Sequence, residues 1–117
     1  MKKLRLFCFL MLSCMMLASC AFRSSSNAFG PYSAAEGYYK KANYSKAIAK
    51  YQEYLAGNPQ GNLAAIAHYY IGKSYAASGD RAKARESFDV VVTKFPKTSW
   101  AAFAKEQSKA LANTAKV

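Results

Sequence analysis

The sequence predicts an all-α protein, a short α-solenoid of two helical hairpins followed by a C-terminal capping helix. From Ala34 onward the apolar residues recur at helical spacing, and strand-like alternation is missing apart from the short run 90–93. Stop signals at 57–59, 79–80 and 96–99 divide this region into short segments. Several residues also recur at an offset of 37 positions, which is typical of stacked helical repeats.

Composition excludes several classes of function. The 117 residues are 52% hydrophobic and 15% aromatic, which fits one small globular domain and excludes a large multidomain enzyme. A single histidine, His68, and six Asp+Glu residues give little material for metal or acid–base chemistry. We expect His68 to pack inside a hairpin. Phosphate-binding glycine loops and zinc-ligand spacings are missing from the sequence, so neither an enzyme nor a cofactor is predicted.

The first twenty residues have the pattern of a secretory signal. A basic start at 2–5 is followed by an uncharged apolar run at 6–17, which is shorter than a membrane-spanning helix requires. The tetrapeptide Leu17-Ala18-Ser19-Cys20 resembles the lipobox of bacterial lipoproteins. An uncleaved amino-terminal anchor is the alternative interpretation of this segment.

The resemblance implies a membrane anchor. In that family the cysteine becomes the first mature residue and receives a diacylglyceryl thioether and an N-acyl chain such as palmitate, so Cys20 is the expected lipidation site. The predicted organisation is a signal peptide at 1–19, a lipidated cysteine and flexible tether at 20–32, and a helical domain at 33–117. Ala21, at a position where inner-membrane retention signals often have Asp, favours the outer membrane facing the periplasm.

The serine-rich stretch 22–31 predicts a tether, although Phe29 and Tyr32 could instead dock it on the domain as an extended arm. Asn43, Asn62, Asp80 and Thr98 are predicted helix N-caps. The five helices are expected at 33–42, 44–56, 62–78, 81–95 and 99–113.

The internal repeat explains how the helices should pack. A small residue in the second helix of each hairpin allows close approach, an aromatic residue one turn later fills the adjacent space, and a proline ends the helix. The pairs at the offset of 37 are Tyr38 and Tyr75, Ala47 and Ala84, Tyr51 and Phe88, Pro59 and Pro96, and Leu63 and Trp100.

This pattern resembles the tetratricopeptide family over residues 34–113. Pro31 and His68 occupy positions where that family often has Trp, so the first helix is expected to start late. The last helix has Ser108, Lys109 and Ala112 where a further hairpin would need packing residues, which predicts a capping helix. A partner or a second copy could complete so short an array. The second unit holds nearly the full motif: Ile71, Gly72, Tyr75, Gly79, Ala84, Phe88 and Pro96.

The resemblance implies a concave surface, formed by the first helix of each hairpin, that binds a peptide or protein partner. A groove of Tyr and Lys suits an extended peptide of acidic or carboxyl-terminal character. The alternative is that these positions are ordinary solvated helix surface. The predicted partner-binding residues are Glu36, Tyr39, Lys40, Ile66, Tyr69, Lys73 and Ala77.

The 37-residue period and the segment 64–104 resemble two groups of envelope proteins, the outer-membrane barrel-assembly lipoproteins and the Tol–Pal coordinators. The resemblance implies a membrane-anchored adaptor or scaffold of the bacterial cell envelope, with barrel assembly as the leading role. The alternative is a Tol–Pal or cell-wall-synthesis accessory that modulates an envelope enzyme, and a peptidoglycan or lipid binder is third. The net charge of +11 is attributed to anionic lipid headgroups or an acidic protein, or to solubility, and not to nucleic acid.

Overall fold

The structure, a computed structural model, describes residues 29–114 and forms five α-helices there. Connections of only three or four residues join them, so consecutive helices run antiparallel. Residues 29–114 contain no strand, and the predicted all-α fold is confirmed. The helices are α1 (Gly30–Lys40), α2 (Tyr44–Gly57), α3 (Asn62–Ala77), α4 (Arg81–Lys94) and α5 (Ser99–Thr114).

The helices stack in chain order into a short α-solenoid. Each helix packs against the next, and α3 also contacts α5. Two core clusters result, the first between α1, α2 and α3 and the second between α3, α4 and α5, so α3 belongs to both. Because the two core clusters share this helix, neither hairpin has a separate core. The predicted arrangement of two hairpins and a final helix is therefore confirmed.

The start of α1 differs from the prediction. The helix begins at Gly30, three residues before the expected Ser33, and Pro31 lies in its first turn. Proline is well suited there because its fixed φ is helical. The N–H groups of the first turn have no intrahelical acceptor, so the N–H that proline lacks is not needed. The expectation that Pro31 would delay the helix is wrong. Tyr32, expected in the tether, is buried, with its ring centroid 5.6 Å from that of Tyr51 and 5.2 Å from that of Tyr54.

Close approach of α3 to α4 depends on a glycine. A Cβ atom built on Gly72 would lie 2.7 Å from the nearest ring carbon of Phe88, which is fully buried. No side chain larger than hydrogen fits there without movement of that ring. The small residues predicted at the hairpin contacts, Ala47 and Ala84, are also completely buried.

The two hairpin turns have the same backbone geometry. Ala42 and Gly79, which are 37 residues apart, both have positive φ angles, of 57° and 89°. In each turn the next N–H donates to a tyrosine carbonyl at 2.9 Å, from Asn43 to Tyr38 and from Asp80 to Tyr75. This is the hydrogen-bonding pattern of a left-handed helix C-cap.

The predicted N-caps are only partly confirmed. Asp80 caps α4, because its carboxylate accepts a hydrogen bond from the N–H of Lys83 at 3.1 Å. Asn43 precedes α2 but makes no side-chain cap bond, and Asn62 is the first residue of α3, where Gly61 takes the N-cap position. Thr98 precedes α5, but its hydroxyl donates back to the carbonyl of Phe95.

The last helix covers the second core cluster. Ala101 and Ala104 are buried on its inner side, whereas Lys109 is exposed and Ser108 and Ala112 are half-buried. These positions supply no apolar surface for another hairpin, as the prediction of a capping helix requires. Among residues 29–114, none of the helices is long and apolar enough to span a bilayer. The predicted signal peptide and the expected lipidation site, Cys20, lie outside the described residues.

Candidate functional site

The first helices of the successive units, α1, α3 and α5, form one continuous surface, here called the inner face. Aromatic rings connect them. The centroid of Tyr39 on α1 lies 5.0 Å from that of Tyr70 on α3, and Tyr69 on α3 lies 5.1 Å from Trp100 on α5. Phe103 extends this chain of rings, at 5.7 Å from Trp100. The inner face is therefore lined by aromatic side chains from one end of the solenoid to the other.

A small cavity of about 160 Å³ opens on the inner face between α1, α2 and α3. Three predicted partner-binding residues, Glu36, Tyr39 and Lys40, line it together with Tyr51 and Tyr70. Glu36 and Lys40 are exposed, so the rim of this tyrosine-lined cavity has one charge of each sign. Such a cavity is of a size for one side chain of a partner and not for a drug-sized ligand.

The other predicted site residues are spread along α3. Tyr69 is half-buried and packs against Phe88 of the second core cluster, at a ring distance of 5.6 Å. Ile66 packs against the first cluster, Lys73 is half-buried, and Ala77 is exposed at the last position of the helix. Tyr69 and Ile66 therefore contribute to the core as well as to the inner face, and truncating Tyr69 would disturb packing.

Tyr70 was not among the predicted site residues, yet it is central to the inner face. Its ring stacks on that of Tyr51 at 6.2 Å and lies 6.3 Å from that of Trp100. The concave face that the resemblance implies includes Tyr69, and adjacent helix residues point about 100° apart, so Tyr70 was not predicted to lie on that face. The inner face includes both because it curves around α3 to meet α1 on one side and α5 on the other.

Apolar residues at one position of the repeat were also missed, apart from Ile66. Phe29 and Phe103, which are 64% and 49% exposed, are the exposed large hydrophobic residues of the described chain. They lie 37 positions before and after Ile66, so the three share one position of the repeat, with Phe29 just before α1 and the other two inside α3 and α5. We call Phe29, Ile66 and Phe103 the apolar row. Applying the repeat offset to the predicted Ile66 would have found both phenylalanines.

The electrostatics of the inner face do not favour acid–base chemistry. Burial, with smaller effects of neighbouring tyrosines, raises the pKa of Tyr39 and of Tyr69, so both phenols stay protonated at neutral pH. Protonated phenols can donate hydrogen bonds to carbonyl or carboxylate oxygens of a partner. Within residues 29–114 no group of three or more His, Cys, Asp or Glu side chains could hold a metal ion.

His68 faces the opposite side of the solenoid. It lines a cleft of about 480 Å³ between α2 and α4, floored by α3 residues that include Ile71 and Tyr75. Its ring lies 6.0 Å from that of Phe95. Burial, with a smaller effect of Lys94, lowers the pKa of His68 and keeps the imidazole neutral near pH 7. The predicted packing role fits this position.

Comparison with protein families identifies one of the two units. A family model described as a tetratricopeptide repeat matches residues 67–98, which run from within α3 through α4 to the start of α5. The match supports the tetratricopeptide part of the resemblance. Such repeats generally bind protein partners, and the chain is therefore interpreted as a protein-interaction module. No curated protein matches the chain.

Proposed function

We propose that this protein is a membrane-anchored adaptor of a bacterial cell envelope, which holds a protein or peptide segment on the inner face of its solenoid. Outer-membrane barrel assembly is the leading setting. The lipobox-like tetrapeptide 17–20 supports the anchor, and the resemblance of the segment 64–104 to envelope lipoproteins supports the setting. The repeat matched at 67–98 supports protein binding.

The apolar row is the observation that carries the binding part of this proposal. Large hydrophobic side chains are expensive to expose, and an isolated one on a surface has no special meaning. Here Phe29 and Phe103 are exposed at the same position of the repeat as Ile66. Because the hairpins stack as repeats, one repeat position recurs along the solenoid, and these three residues form a spaced apolar row. An extended or helical partner segment with apolar residues at matching intervals would cover it.

The cavity on the inner face adds polar recognition. It is bordered by Glu36 and Lys40, and its floor contains the rings of Tyr39, Tyr51 and Tyr70. A partner side chain entering it would contact tyrosine rings, and at the rim it would meet one negative and one positive side chain. Interfaces commonly combine rigid aromatic anchors with a polar rim in this way.

In-cell photocrosslinking tests the assignment of the inner face. The photocrosslinking residue benzoylphenylalanine replaces Phe29 or Phe103 in the full chain. Matched controls carry it at exposed positions on the second helix of each hairpin, Gln52 on α2 and Ala82 on α4. We expect the two inner-face positions to crosslink one protein partner that the outer positions do not. Equal crosslinking from all four positions would contradict the proposal.

The identity of the crosslinked proteins tests the setting. Barrel-assembly subunits would support the leading role, and Tol–Pal or wall-synthesis proteins would replace it with the accessory role. In the variant Cys20→Ser, loss of incorporated palmitate and of envelope crosslinks is expected if the anchor is correct. Unchanged palmitate incorporation would contradict lipidation at Cys20.

A truncation measures how much the row contributes. We expect Phe103→Ala to lower partner capture at least about fivefold, since truncating an aromatic anchor commonly costs more than about 1 kcal/mol. Its thermal unfolding midpoint should change little, because the side chain is 49% exposed in the absence of a partner. Full capture by this variant would exclude Phe103 from the binding site.

A further inference from the structure

The basic residues of the solenoid are concentrated at one edge. Antiparallel stacking brings the turns 41–43 and 78–80 to the same side, together with the last turns of α5. We call this side the turn edge, and take each edge to include the two-fifths of each helix that adjoins it. The opposite edge contains the connections 58–61 and 95–98.

The charges divide unequally between these edges. Residues 29–114 contain twelve Lys+Arg and six Asp+Glu. The opposite edge has only two basic residues, Lys94 and Lys97, and one acidic residue, Glu53. The turn edge has a single acidic residue, Asp80, and eight of the twelve basic residues: Lys40, Lys41, Lys46, Lys73, Arg81, Lys83, Arg85 and Lys109.

Little within the described chain neutralises the turn edge. Seven of its eight basic residues are exposed, and Lys73 is half-buried. The carboxylate of Asp80 caps α4 and lies 3.9 Å from the Nζ atom of Lys83. The remaining acidic residues are at mid-helix or on the opposite edge. The turn edge therefore has essentially all the net positive charge of the described residues, which a charge distribution serving solubility alone does not require.

Two of these ammonium groups are held in equivalent positions. The Nζ atom of Lys46 lies 5.5 Å from the ring centroid of Tyr38, and that of Lys83 lies 5.6 Å from that of Tyr75. Both tyrosines and both lysines are 37 residues apart. The cation–π pair is thus repeated on successive hairpins, and it places a tyrosine ring directly behind each charge. Tyrosine beside basic residues is the composition of surfaces that meet a membrane interface.

We propose that the turn edge docks on an anionic lipid surface. Its charges are spread over the ends of five helices in successive units, so one small anion could meet only a few of them. A planar array of lipid phosphates can face the whole edge at once, and each exposed cation would lie within a Debye length of several headgroups. Docking at this edge does not require any partner on the inner face.

Lysine protection in a single molecule tests the proposal with an internal control. The full chain is treated with an amine-acetylating reagent beside vesicles of phosphatidylglycerol and phosphatidylcholine, or of phosphatidylcholine alone. Binding through the apolar segment 6–17 would be common to both preparations. We expect Lys41 and Lys46 to lose reactivity severalfold only on the anionic vesicles, in a salt-reversible manner. Lys94 and Lys97 should stay reactive on both.

Equal protection of both edges, or none on anionic vesicles, would overturn the proposal. Stronger protection of the turn edge by polyglutamate than by the vesicles would overturn it in favour of an acidic protein. The same result with an oligonucleotide would overturn it in favour of nucleic acid.

A matched pair of variants shows whether membrane binding depends on where the positive charges lie or only on their total number. Lys41→Gln/Arg81→Gln removes two exposed cations from the turn edge, and Lys94→Gln/Lys97→Gln removes two from the opposite edge. Only the first should lose the extra affinity for anionic vesicles, by roughly thirtyfold if each residue lies near the surface. Equal losses in the two variants would show that total charge and not the turn edge is responsible.

Discussion

Adding one methyl group at Gly72 should destabilise the fold, although the same change stabilises most helices. Replacing glycine by alanine inside a helix ordinarily gains about 0.5–1 kcal/mol, because glycine loses more backbone entropy on folding. At Gly72, however, the new Cβ would lie 2.7 Å from Cε1 and 2.8 Å from Cδ1 of Phe88. These separations are far below ordinary carbon–carbon contact distances, so the ring or the helices must move.

The surroundings of Phe88 decide the cost. The ring is completely buried and packs in the second core cluster, so it cannot avoid the new methyl group by rotating into solvent. Overpacking of this kind typically costs about 1–3 kcal/mol. Subtracting the helix-propensity gain of about 0.5–1 kcal/mol from the middle of this range, about 2 kcal/mol, we expect Gly72→Ala to lower the free energy of unfolding by about 1–1.5 kcal/mol. For a domain of this size that corresponds to a fall of about 4–12 °C in the unfolding midpoint.

Gly37→Ala is the matched control. Gly37 lies inside α1, and a Cβ atom built on it meets no heavy atom within 4 Å apart from its chain neighbours and the adjoining helix backbone. This variant should therefore show the propensity gain alone and raise the midpoint. Thermal and urea unfolding followed by circular dichroism measures both variants under one set of conditions. If Gly72→Ala is as stable as Gly37→Ala, the close packing of α3 against α4 is not as described.

A double-mutant cycle assigns the cost to the ring. Phe88→Leu shortens the side chain that the new methyl group would meet, at its own cost in buried surface. In the background of Phe88→Leu, the change Gly72→Ala should be nearly neutral or stabilising, which gives a coupling energy of about 1 kcal/mol or more. An additive result would refute the contact as the cause.

Three further outcomes follow from the turns and the first core cluster. Asp80→Ala removes a cap hydrogen bond and should lower the free energy of urea unfolding by about 1 kcal/mol. Asn43 is at the equivalent turn but makes no cap bond, so Asn43→Ala should cost little. Equal losses in the two variants would contradict this. Ala42→Gly should raise the free energy of unfolding by about 1 kcal/mol, since a left-handed conformation is strained for alanine, and an unchanged value would refute the positive φ. Burial, aided by Glu36, raises the pKa of Tyr32 to about 12. The neutral phenol therefore stabilises the fold fully below pH 10, and this contribution is lost as the pH rises through about 12. Melting midpoints across this window should fall less for Tyr32→Phe than for the unaltered chain, and parallel curves would contradict the assignment.

Much of the fold follows from local signals in the sequence. Glycines and prolines such as Gly57 and Pro96 mark the helix ends, so four of the five helices agree with prediction within about two residues at each end. The start of α1 does not, because proline at the first turn of a helix has the same sequence appearance as proline that stops one. Only the burial of Tyr32 against α2 distinguishes the two cases.

The candidate site was predicted less completely. The resemblance to tetratricopeptide repeats identified Glu36, Tyr39 and Lys40, which the structure places around one cavity. It could not identify Tyr70, whose role depends on contacts with three other helices that are distant in sequence. The sequence does contain the information for Phe103, through the repeat offset from Ile66. The double role of Tyr69, in the core and on the inner face, depends on how α5 packs and is not encoded locally.

The repeated contacts between units also bear on how the array could be lengthened. Ala67 on α3 and Ala104 on α5 are equivalent residues, and both are completely buried where a first helix meets the preceding hairpin. The surface that α4 offers to α5 therefore resembles the one that α2 offers to α3. A chain in which residues 62–98 are duplicated in tandem should accept the extra hairpin without redesign of either junction. It would extend the apolar row by one position. The number of hairpins would therefore set the length of the partner segment that the inner face can hold.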